Sequence, residues 1–369
     1  MAMLRADYAL FLDAPPVAPA APRGLDVSLT PLATGFTHEP SDELFGPHVS
    51  AFTRAPHGAG FLLSIAAPVK GDAGAFFAMA HQTLLAAVAG REGWVLDVLK
   101  LWPQPVDKLG DLPDEPLPED LFSIAFREQG EHGLRAETVG LSKLGQKELS
   151  FQFKGHALIE DATLLCAHFA DWIFGQRRRV EGGAQVAFGL ETLTFRSATP
   201  DGTPFRGWHP PLVLRLLSPE RFPGVGALEV LGRTLPWEPA EAELTFALER
   251  SAAQRTLLEA HGLSGESPHV GALARACACL GTGPFVGTRV EPHAQRDSGW
   301  LFACESGHHP DQLAELSLGE LARRVERIIP VLALPPGASA RFDGDAVQLM
   351  LDRVTRGLSD GEDSDVSSI

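Results

Sequence analysis

Five side chains in the C-terminal third offer metal-binding chemistry: Cys277, Cys279 and Cys304, followed by His308 and His309, carry the thiolate and imidazole donors of tetrahedral zinc sites. Their spacing argues against such a site. One residue separates the first two cysteines where zinc motifs place two to four, and alternation with Trp300 and Phe302 assigns Cys304 to one face of a strand. Buried thiols and exposed imidazoles are the ordinary reading, so no metal and no cofactor is expected. A second arrangement, Gly140-Leu-Ser-Lys-Leu-Gly-Gln-Lys147, sets two glycines five positions apart as in a phosphate-binding loop. Gln146 stands where the phosphate-contacting lysine is needed, Glu148 follows instead of a metal-binding hydroxyl, and both flanks read as strands rather than strand then helix. A structural turn is expected there.

Nucleophilic catalysis finds no better support. Cys166 has His168 close in sequence, but residues two apart on a helix face different directions. His168 and Asp171 share a face, which reads as a surface or core-edge pair. His81, between Phe77 and Leu84, reads as a core-edge histidine, and Arg177, Arg178 and Arg179 at a helix end complement its dipole. No Gly-x-Ser-x-Gly elbow, His-Glu-x-x-His helix or dinucleotide-binding glycine triplet occurs. The chain is expected not to be an enzyme.

The elements that would position these residues follow from apolar periodicity. A strand over residues 61–67 precedes a helix over 73–89, where Phe76, Phe77, Ala80, Leu84 and Val88 recur at helical spacing. Residues 94–102 form a second apolar run, and five prolines place 103–118 in a surface loop. Strands are expected over 122–127, 135–139 and 148–153, the last half-buried because Leu149, Phe151 and Phe153 alternate with polar residues. A helix over 158–174 follows. Further strands are read at 187–196, 211–217, 227–231 and 243–249, with Ser251 capping a helix to residue 261 and another helix over 270–280. Then come a strand from Phe285, a turn at 296–298, a strand carrying Trp300 and Phe302 on one face, and a helix opened by the capping box of Ser317 and Glu320.

The expected fold class is α+β and multidomain, with helices packed on mainly antiparallel or mixed sheets and a β-rich middle segment. The expected parts are an N-terminal strand and a Pro/Ala-rich linker at 1–40, an α+β domain at 41–183, the β-rich segment at 184–250, a second α+β domain at 251–356 and a disordered acidic tail at 357–369. At 369 residues, two or three units can each bury a core. The formal charge of −16, from 47 acidic against 31 basic residues, repels phosphate backbones and favours basic protein surfaces, so nucleic acid is not the expected partner. No run of about 18 apolar residues exists to span a membrane, and the start lacks the long apolar region of an export signal. Four irregularly spaced cysteines fit a reducing, cytoplasmic compartment rather than a disulfide framework.

Two stretches carry family resemblances. Phe285-Val-Gly-Thr-Arg289, Arg296-Asp-Ser-Gly-Trp300, the run to Glu305, Ser317 to Glu320, Ile328-Ile-Pro-Val-Leu332 and residues 337–343 together resemble the bacterial immunity-protein family thirty-three, built around an Asp-Ser-Gly-Trp strand start. Ala80-His-Gln-Thr-Leu84, residues 94–99, Thr138-Val-Gly-Leu-Ser142, Leu144-Gly145 and Glu148-Leu149 are similar to an uncharacterised bacterial domain family found beside immunity proteins. The resemblances imply a cytosolic immunity protein that neutralises a toxin, in a bacterial polymorphic-toxin or defence system, by direct protein–protein binding. The expected partner is a basic toxin domain, and the motif residues Arg296, Asp297, Ser298, Gly299, Trp300 and Glu305 are the candidate contact set. For Trp300 the residue pattern favours packing over binding. The alternative is a hydrolase or transferase whose site is dispersed over an interdomain cleft or the 103–118 loop.

Overall fold

The computed structural model describes residues 3–32, 60–68, 73–100, 102–111, 118–130, 133–175, 180–197, 227–234, 238–305, 313–344 and 346–351. The expected strand at 211–217, the arginines 177–179, His308, His309 and the 357–369 tail lie outside these residues. The chain divides into two compact units. The first comprises Met1–Ala184, Thr194–Leu231 and Ala242–Leu244, and the second Gln185–Leu193, Gly232–Glu241 and Thr245–Ile369. Among the described residues the architecture is α+β, with three sheets that are antiparallel or mixed.

In the first unit, β1 (Met3–Leu12), β2 (Asp26–Pro31), β3 (Gly60–Pro68), β4 (Gly93–Asp97) and β5 (Trp102–Pro105) form a sheet in the order β2-β3-β1-β4-β5. The N-terminal strand is therefore central, with Ala6, Ala9, Leu10 and Leu12 fully buried. Helix α1 (Ala73–Ala87) buries Phe76, Phe77, Ala80, His81 and Leu84, the face its periodicity called for. The Pro/Ala-rich segment after β1 lies as a strap: the Val17 N–H donates to the Ala87 carbonyl at 2.9 Å and Arg91 Nε to the Pro15 carbonyl at 2.9 Å. The proline-rich stretch departs from expectation, because its first residues pair with β4 as β5 before a 3-10 turn at Val106–Asp111. An edge strand has one row of unpaired N–H positions, so proline costs little there.

The second sheet has the order β6-β7-β8-β11-β10-β9, formed by β6 (Ser123–Glu128), β7 (Leu134–Val139), β8 (Glu148–Phe153), β9 (Gln185–Phe188), β10 (Glu191–Ser197) and β11 (Ala227–Arg233). Within it β8 and β11 run parallel. Both faces of β8 are buried at Glu148, Leu149, Ser150 and Phe151, so the alternation in its sequence marks two covered faces rather than one wet one. Helix α2 (Ile159–Gly175) buries Ala162, Leu165, Phe169 and Ile173, and Phe169 and Trp172 pack on Phe195 of β10 at ring distances of 5.3 and 5.7 Å.

In the second unit, helix α3 (Thr245–Ala260) replaces the expected strand at 243–249, and Ser251 lies in its middle rather than at its cap. Leu244, Phe246 and Leu248 alternate, but Leu244 and Leu248 also stand four apart. The helix satisfies that spacing by burying both and leaving Phe246 65% exposed. The expected helix at 270–280 is instead β12 (Leu273–Ala276), whose alanines 274 and 276 are buried while Arg275 is exposed. It joins β13 (Phe285–Arg289), β14 (Asp297–Cys304), β15 (Ala314–Ser317), β16 (Ala338–Asp343) and β17 (Ala346–Leu351) in the order β15-β12-β14-β13-β16-β17. Helix α4 (Leu318–Arg324) opens with both hydrogen bonds of the capping box between Ser317 and Glu320 in place. A 3-10 turn at Glu326–Val331 follows and contributes Ile328, Ile329 and Val331 to the core. No helix among the described residues is long and apolar enough to cross a membrane.

Candidate functional site

The Arg-Asp-Ser-Gly-Trp run is built as a strand entry, each side chain with a mechanical task. Asp297 accepts the His293 N–H at 3.0 Å and the Gly299 N–H at 2.9 Å, closing the turn into β14. These two backbone bonds hold its carboxyl below the usual range. Ser298 Oγ donates to the Leu273 carbonyl of β12 at 2.8 Å and accepts the Trp300 N–H at 3.2 Å. Gly299 has φ +74°, and a Cβ there would lie 2.1 Å from the Val290 carbonyl oxygen, so no other residue fits without moving the backbone. Arg296 is exposed, and its carbonyl accepts the Leu273 N–H at 2.6 Å.

Trp300 is 1% exposed. Its ring stacks on Phe302 at 5.2 Å, and its Nε1 donates to the Leu332 carbonyl at 3.2 Å. The neighbouring strand makes room for the pair through Gly287, opposite Phe302 in the β13–β14 register: a Cβ there would sit 2.6 Å from the Phe302 ring. Arg289, at the end of β13, reaches the carbonyls of Leu334, Leu332 (3.3 Å) and Glu266 (3.1 Å), and burial lowers its pKa. The sequence pattern around Gly287 and Arg289 assigns neither residue a task. A glycine inside a strand opposite an aromatic, with no turn to explain it, was the readable signal. Glu305 is exposed and forms a bidentate pair with Arg341 at 2.5 and 3.2 Å, which holds the carboxyl low. The candidate contact residues thus divide into half-buried Asp297 and buried Ser298, Gly299 and Trp300, which shape β14, and two exposed ones, Arg296 and Glu305.

The phosphate-loop look-alike is a turn that binds an anion of its own. The N–H groups of Gly140 (2.9 Å), Leu141 (3.1 Å) and Ser142 (3.0 Å), with the Thr138 hydroxyl (2.9 Å), converge on the Glu148 carboxylate. Burial pushes this carboxyl up and the four donors counter it. Chain and carboxylate together therefore satisfy the donors that a phosphate would otherwise seek. In the same unit Lys143 is buried in an ion pair with Asp97, which also accepts the Leu99 and Lys100 N–H groups at 3.2 and 3.0 Å.

The cysteines lie closer together than their spacing in the sequence suggests. Parallel pairing of β12 with β14, Ala276 opposite Phe302, brings the C-terminal ends of the two strands together. Cys277, Cys279 and Cys304 meet there with sulfurs all within 4.8 Å of one another, the Cys279 thiol donating to Cys277 Sγ at 3.3 Å. Hydrogen bonds to Cys304 first, and then to Cys277, push the Cys279 thiol up to about 12. Cys166, in the first unit, is buried, and burial pushes its thiol up.

Residues 253–352 match the family model of the Imm33-like domain, a span that begins within α3 and ends just past β17. Neither a curated protein nor a solved structure matches the chain.

Proposed function

We propose that the chain is an immunity protein that neutralises a toxin by binding it directly, without catalysis, in the bacterial cytoplasm. The observation that carries this reading is the match of residues 253–352 to the Imm33-like domain. Two features agree with it. The motif residues of that domain serve its architecture, as in a binding scaffold, and the charge of −16 complements a basic toxin domain. The resemblance of residues 80–149 to a domain family found beside immunity proteins agrees with this reading. We assign partner contact to the exposed motif residues Arg296 and Glu305, and to buried Trp300 an effect on binding through the fold.

The test is to inspect the genes beside this chain's own for a toxin-like reading frame and to co-express that toxin with the chain. Restored growth of a sensitive host, with a one-to-one complex on gel filtration, is the expected result. Growth restored without a complex would defeat direct binding. No rescue, from a folded chain and an active toxin, would defeat the immunity reading.

A further inference from the structure

We propose that Cys277, Cys279 and Cys304 form a three-thiolate site for a thiophilic d10 cation, zinc(II) or copper(I), at the paired C-terminal ends of β12 and β14. The sulfurs come from two strands and the turn that leaves one of them. Cys277 follows β12 directly, its N–H donating to the Phe302 carbonyl at 3.0 Å; Cys304 closes β14. Cys279 sits in the turn, held by the Thr282 N–H and hydroxyl, which donate to its carbonyl at 3.1 and 2.7 Å. With metal–sulfur bonds of about 2.3 Å, an ion centred among three sulfurs needs them about 4 Å apart. The observed sulfurs lie within 4.8 Å of one another, one pair at 3.3 Å, so rotamer-scale shifts complete the site.

Soft thiolates select zinc(II) and copper(I) over hard cations. Cys277 is buried and the other two are half-buried, so an ion can enter from one side and is shielded on the other. A disulfide is the competing chemistry of two neighbouring thiols, but it would employ two sulfurs and leave unexplained why the adjacent strand delivers a third. Binding releases three protons to solvent. The site then carries one net negative charge with zinc, whose fourth position takes water, or two with copper(I), which three thiolates satisfy. The ion would tie β12 and its turn to β14, and stabilise the second unit by mass action.

The whole chain, reduced and stripped of metal under anaerobic conditions, is titrated with zinc(II) against a chromophoric chelator and, separately, with copper(I) against bicinchoninate. One equivalent bound in either arm, with a raised melting temperature, is expected, and the tighter arm identifies the ion. Cys304→Ser and Cys279→Ser should each weaken binding by more than about a hundredfold, since even residues that only orient a metal ligand are worth about 10–100-fold. Their metal-free melts should stay near the parent's, which separates lost coordination from lost folding. Two results would overturn the site: no stoichiometric binding of either ion while all three thiols react with a thiol reagent, or unchanged affinity in both serine variants.

Discussion

Trp300 shows how much one side chain can hold. Its ring stacks on Phe302, the two rings fill the space left by Gly287, and its Nε1 donates to a carbonyl in the chain after the 3-10 turn. Trp300→Ala removes that packing and should cost about 3–5 kcal/mol, read as a lower denaturation midpoint. An unchanged melt with lost partner binding would instead make the ring a contact residue. A second residue, Glu137, predicts a pH dependence. Burial raises its carboxyl to about 7 from the ordinary 4.5, against the pull of Arg135, 2.7 Å away, and Arg127. The folded state therefore holds this proton more tightly than the unfolded chain. Its contribution to stability is complete below about pH 4.5 and is lost as pH rises through 7, on the order of 3 kcal/mol at 1.36 kcal/mol per pH unit. Urea unfolding of the parent and Glu137→Gln at pH 4.5, 6 and 8 checks this: the parent should lose stability relative to the variant across that range. A constant difference would mean that the carboxylate is already charged and paired.

At the scale of elements, legibility depended on whether a segment's own pattern admitted one solution. The α4 start did, because Ser317 and Glu320 satisfy each other's backbone within four residues. Ser317→Ala should cost about 1 kcal/mol, with little change in folded structure, measured by chemical denaturation and far-UV dichroism. A loss several times larger would show that Ser317 serves β15 as well. Helix α3 was ambiguous, since Leu244, Phe246 and Leu248 fit period two as well as a four-residue step. Only the core decided, by taking Leu244 and Leu248 and leaving Phe246 outside. In β12, small alanines suit a helix, yet the strand is paired on both sides, parallel to β14 and antiparallel to β15. Tertiary pairing outweighed propensity there.

At the scale of the whole molecule, the second unit draws on residues far apart in sequence. Leu190 belongs to the C-terminal core, and Glu191 pairs with Arg250 and accepts from the Thr234 hydroxyl at 3.0 Å. A fragment of residues 251–356 starts inside α3 and lacks all four of these residues, so it should fail to show a cooperative thermal melt. A fragment melting as sharply and as high as the second unit does in the whole chain would show that Leu190 and the Arg250 cluster contribute nothing. By itself the sequence determined the α+β class, helices α1, α2 and α4 with their buried faces, the Trp300–Phe302 side of β14 and the resemblance that the Imm33-like match upholds. These rest on interactions between residues a few positions apart, where periodicity and caps are written locally. The tertiary structure alone decided that Met3–Leu12 is a central strand, that Glu148 fills its own anion-binding turn, and that three irregularly spaced cysteines converge. Each depends on which strands become neighbours, and that choice comes from the burial of the whole core rather than from any local spacing.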